Sequence, residues 1–99
     1  MGMWVGSMEF DLLLGAVGSL KEKRSVVRPI VAEVRRRFAV SVAEVDHTDL
    51  HRRASIGVAL VSGDVAHVRE VLDEVERFMA SRPEVELLSA RHRLSHSDD

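Results

Sequence analysis

Ninety-nine residues with 14 Lys and Arg, 16 Asp and Glu and no cysteine make one domain, large enough for a single core but too small for a core plus a deep substrate cleft. The absence of cysteine excludes disulfide frameworks, thiolate nucleophiles and Cys-based zinc or iron sites, and suits a reducing compartment, with the cytoplasm as the expected location. A net charge of −2 argues against a general nucleic-acid binder, for which a clearly basic domain is expected.

That sum hides a gradient. Lys21 to Arg37 contains seven Lys or Arg against two Glu, whereas Asp64 to Glu86 contains seven acids against three Arg, so one surface should be basic and another acidic. The first fifteen residues are apolar but carry Glu9 and Asp11 and no basic leader. They are too short and too alternating for a signal peptide or a membrane span, and no membrane association is expected.

From Met3 to Leu14 the even positions Trp4, Met8, Phe10, Leu12 and Leu14 are apolar, while the odd ones include Ser7, Glu9 and Asp11. This period of two predicts a strand with one buried face. Gly15 to Gly18 break it as a loop. Ser19 followed three residues later by Glu22 is a capping box, in which hydroxyl and carboxylate each satisfy a free N–H at a helix start. The helix begins at Leu20, and at about 100° per residue Leu20, Val27, Ile30, Val31, Val34 and Phe38 form one apolar stripe. Pro29 lies off the stripe but removes a hydrogen bond to Ser25, which predicts a kink or a helix in two pieces.

Ala39 to Asp46 and Arg53 to Val61 are alternating and rich in β-branched residues, giving two more strands joined by the polar loop 47–52. Asp64 is a good N-cap for a second helix. Val65, Val68, Leu72, Val75 and Met79 carry that helix to about Ala80, and Pro83 ends it. Val85 to Leu94 reads as a fourth strand. Residues 1–94 thus form the domain, and 95–99 are expected to be a flexible tail.

Strand, helix, strand, strand, helix, strand is the α+β, ferredoxin-like βαββαβ pattern, an antiparallel four-stranded sheet with both helices on one face. Right-handed crossovers give the spatial order 4-1-3-2, with strand 2 at an edge. One sheet face then stays uncovered, and an exposed face or edge is a common route to a homodimer.

Two groups of residues invite a functional reading. Lys21, Arg24, Arg28 and Arg35 fall within about 60° on the first helix and span about 20 Å, with Lys23 nearby. Such a ridge of mobile cations suits a phosphate backbone, which needs charges at intervals but no base-reading groups. It equally suits a solubilising face whose long side chains cover the core edge. The loop Asp46-His47-Thr48-Asp49-Leu50-His51 offers metal-ligand residue types, but Asp and Thr are common in turns because they cap them. No nucleophile accompanies Asp46 and His47. No catalytic residue, metal or cofactor is therefore expected. The outward positions of strands 1 and 3 carry Glu9 and Asp11 but no aromatic residue, so base stacking on the sheet is not expected, and the two acids should repel RNA.

The stretches SLKEKR (Ser19 to Arg24) and AEVDHTDLHRRA (Ala43 to Ala54) resemble the YlxP-like family of small bacterial proteins, a domain of unknown function. The resemblance spans nearly the whole chain. It implies a ferredoxin-like fold, no established enzyme activity, and genes often sited beside those for a translation initiation factor and a ribosome-binding factor. The positions carried over are Ser19, Lys21, Glu22, Lys23 and Arg24, then Glu44, Asp46, His47, Asp49 and Arg53. His51 stands where the family pattern has an aromatic. Two functions compete: an RNA- or ribosome-associated accessory protein working through the ridge, with ribosomal RNA or a ribosomal particle as partner, and a homodimeric structural or regulatory module working through the open sheet face or edge.

Overall fold

In the computed structural model, which describes residues 2–98, six elements follow one another: β1 (Trp4–Leu14), α1 (Leu20–Phe38), β2 (Ser41–Asp46), β3 (Arg53–Ser62), α2 (Val65–Ala80) and β4 (Val85–His96). All strand pairs are antiparallel, and the order β2-β3-β1-β4 is the expected one with β2 at an edge. The period-two pattern of β1 translates directly into burial. Met8, Phe10, Leu12 and Leu14 point into the core and meet Ala54, Ile56 and Val58 of β3.

The helices cover that face. Val27, Ile30 and Val34 of α1 and Val68, Leu72, Val75, Phe78 and Met79 of α2 are buried against the strands. Gly6 lets α2 approach closely, since a Cβ there would overlap Val68 Cγ1 and stand 3.0 Å from Leu72 Cδ1. The caps form as the sequence indicates: Ser19 Oγ accepts from Glu22 N at 3.1 Å, and Asp64 Oδ1 accepts from Ala66 N at 2.9 Å.

Three boundaries differ from expectation. α1 is one helix through Pro29 rather than two pieces. Pro29 is exposed, so its ring clears the sheet. The lost hydrogen bond, about 3 kcal/mol, is outweighed by Val27, Ile30 and Val34, which anchor both halves at about 1.5–3 kcal/mol each. β2 begins at Ser41 because Ala39 caps α1 in the left-handed region, φ 52°. β4 runs to His96, and Ser97 N donates to Met3 O at 2.8 Å. The expected tail is therefore part of the sheet as far as its pairing with β1 extends; Asp99 lies outside the described residues.

Candidate functional site

The two sequence motifs meet at one end of the sheet. Lys23, in the first turns of α1, is only 2% exposed. Its ammonium lies 2.8 Å from Glu44 Oε2 of β2 and donates to the carbonyl of His47. A bare ammonium in a core would cost several kcal/mol, and the carboxylate with the carbonyl compensates it. His47 turns that carbonyl inward by adopting φ 59°. This left-handed conformation costs a non-glycine residue about 1–2 kcal/mol, and it is supported by Asp46 Oδ1, which accepts from His47 N at 2.7 Å, and by Leu50 N, which donates to His47 O at 3.1 Å.

A second pair adjoins it. Arg53 Nη2 donates to Asp11 Oδ2 at 2.6 Å, and His47 Nε2 stands 3.9 Å from Asp11 Oδ1. The hydrogen bond from Arg53 holds the Asp11 carboxyl below its usual pKa; partial burial opposes this, and the nearby charges of Arg53, His47 and Arg91 reinforce it. At 3.9 Å the imidazole and carboxylate are too far apart for a hydrogen-bonded dyad. Asp49 and His51 are exposed and do not converge on this cluster. Among the described residues no three His, Asp or Glu side chains gather as metal ligands.

The motif residues Lys23, Glu44, Asp46 and His47 thus fasten α1 to the β2–β3 connection, while Arg53 ties β3 to Asp11 of β1. Lys23 is a correction to the sequence reading, because its buried, paired ammonium is not available to a phosphate. The sequence contains a signal for this. Lys23 lies four residues before Val27 and seven before Ile30, in the middle of the apolar stripe, and Glu44 follows Val40 and Val42 on the core-facing side of its strand. Opposite charges on facing core positions predict an ion pair.

The rest of the ridge is different. Lys21, Arg24 and Arg28 are exposed and, among the described residues, have no ion pair or hydrogen bond through their side chains. Arg35 is exposed but donates one Nη2 to Val42 O at 3.1 Å, which places that end of the ridge beside the edge strand. Neighbouring and other cations are engaged: Arg36 with Glu33 at 2.6 Å, Arg91 with Glu9 at 2.9 Å, and Arg37 and Arg82 over the Phe78 ring at 5.2 and 5.0 Å. Arg69 and Arg77 of α2 and Arg93 of β4, like the ridge, have no side-chain ion pair or hydrogen bond among the described residues.

The open sheet face also corrects an expectation. Glu9 and Asp11 each hold an arginine, and β4 adds Arg93 beside Ser7. Register adds Glu86 beside Leu13, so three acids face Arg53, Arg91 and Arg93 and the charges of the face balance. No aromatic residue occupies it among the described residues, as the alternation of β1 and β3 indicates.

Residues 5–92 match the family described as protein of unknown function, DUF503. This chain belongs to that family. It is 37% identical over 82 residues to the uncharacterized protein YlxP of Bacillus subtilis (strain 168), covering 83% of this chain and 89% of that protein. Among solved structures it is similar to the de novo designed protein Foldit4, with a TM-score of 0.54, 14% identity and coverage of 94% and 96% of the two chains. It is also similar to the designed protein LFR1 1 with ferredoxin fold, with a TM-score of 0.50, 8% identity and coverage of 96% and 86%. At those identities the likeness is one of fold alone.

Proposed function

We propose that this DUF503 protein is a non-enzymatic RNA- or ribosome-associated accessory factor that holds a phosphate backbone on Lys21, Arg24 and Arg28, with Arg35 at the far end. One observation carries the reading: three exposed cations on one helix face remain unpartnered while the cations around them are committed to carboxylates, carbonyls or rings. Folding accounts for Lys23 and leaves these three unexplained. Unpaired guanidinium and ammonium groups at intervals of three and four residues lie about 4.5 and 6 Å apart along the helix, and they present charge without base-reading geometry, as backbone contact requires. The gene setting that the resemblance implies agrees with a translation-linked partner.

The test is cosedimentation with ribosomal particles and binding to structured RNA at two salt concentrations. Three phosphate contacts on a duplex predict a log–log slope of about −2.7 and an affinity loss of about 40-fold between about 50 and 200 mM salt. The variant K21E/R24E/R28E should lose binding while keeping its fold. Salt-independent binding, or no binding to either probe at the lower salt, would refute the reading.

A further inference from the structure

Placing both helices on one side leaves the other face of the sheet bare, and exposed apolar side chains interrupt the polar ones on it. Cross-strand register puts Val5 beside Val61, Ser7 beside Ala59, Glu9 beside Gly57, and Ala43 beside Gly57 from the other side. Val61 is 61% exposed and Val45 is 53% exposed, whereas a sheet face in water normally alternates to polar residues. The small side chains leave a shallow hollow over Ser7, Ala43 and Ala59, bounded by Val45, whose side chain lies over Gly57, and by Glu9, Arg91 and Arg93. Next to it Val61, opposite the half-buried Val5, forms an exposed apolar knob.

We infer that two copies of this chain associate through this open face, the knob of each seated in the hollow of the other. Three features favour a second copy over a different occupant. An isologous interface requires a surface that complements itself, and here knob and hollow lie side by side on one face. Its charges are of both signs and balance: Glu9, Asp11 and Glu86 lie among Arg53, Arg91 and Arg93, with Glu9 and Asp11 already paired within the copy, so stacking leaves neither sign in excess. Strands of 11, 6, 10 and 12 residues at about 3.3 Å each and about 4.8 Å apart give a face of about 620 Å², at the low end of the roughly 600–1,000 Å² per partner of a standard interface.

β2, by contrast, is poorly suited to edge pairing: it is six residues long, is bulged at Val45 and has Arg35 on a carbonyl. Face-to-face stacking also keeps α1 on the outside of both copies. The phosphate-binding reading and this one therefore stand or fall separately.

The test is the mass in solution by light scattering and sedimentation at tens of micromolar. The wild-type chain should run at twice its 11.0 kDa. Val61→Asp, which places a charge on the knob, and Ala59→Arg, which fills the hollow, should each run at the single-chain mass with an unchanged circular dichroism spectrum. Lys21→Glu should leave the mass at that of the wild type. A wild-type protein that is monomeric throughout this range leaves the face to some other occupant and overturns the inference. So does a dimer that survives V61D, or one that K21E dissociates. Should A59R fail to fold, V61D still decides, because Val61 is on the surface and outside the core.

Discussion

Lys23 and Arg24 are adjacent in the chain, share the family motif and carry the same charge, yet one is sealed in the core and the other stands in solvent. The difference is one step of about 100° around a helix. That step takes Lys23 into line with Val27, Ile30 and Val34 and onto Glu44, and carries Arg24 past the rim to join Lys21 and Arg28. Membership of a motif therefore does not locate function in this chain. The same six residues SLKEKR cap a helix, bury an ion pair and expose a cationic ridge.

The contrast can be broken most forcefully at Glu44. Glu44→Ala should cost about 3 kcal/mol, because it strands a buried ammonium, whereas Lys23→Met should cost distinctly less, since it removes the buried charge and leaves Glu44 partly accessible to water. Urea denaturation measures both, and equal costs, or a loss under about 1 kcal/mol for E44A, would show that the pair is not buried as described.

A smaller effect is expected at Asp11, whose carboxyl is held below its ordinary pKa by Arg53. A depressed carboxylate contributes stability above the unfolded-state value of about 3.9 and loses it as the pH falls through the lower folded-state value. The stability difference between wild type and Asp11→Asn should therefore be constant from about pH 6 to 7, begin to shrink as the pH approaches about 4, and vanish only below the lower folded-state value. A difference that persists in acid would assign the effect to packing.

The smallest change in stability is expected on the ridge. Alanine at Lys21, Arg24 or Arg28 should each shift stability by no more than about 0.5 kcal/mol, even though charge reversal of all three is expected to abolish binding. A loss of more than about 1 kcal/mol at any of them would reveal a structural role and move that residue to the Lys23 side of the comparison.

The fold was legible because its signals are local. β1 alternates for eleven residues, α1 and α2 carry apolar stripes and side-chain caps, and the order of elements with right-handed crossovers leaves one topology. Expectation and structure part where a local rule meets a distant contact. Pro29 reads as a break, but the sheet holds both halves of α1; Ser95 reads as tail, but β1 offers it a pairing partner. Glu9 and Asp11 read as a repulsive face until β3 and β4 bring arginines beside them.

The sequence by itself determined the six elements, their order, the core positions of β1 and both helices, and the chemical difference between the ridge and the acidic second half. Those properties depend on period, capping and charge within a few residues of each other. Only the tertiary structure decided that Lys23 belongs to Glu44 and His47, that the motif loop is a fastening, and that Val5 and Val61 stand beside a hollow on an uncovered sheet. These outcomes depend on which residues, distant in the chain, the sheet register brings face to face, and on whether a charge there meets water or a partner.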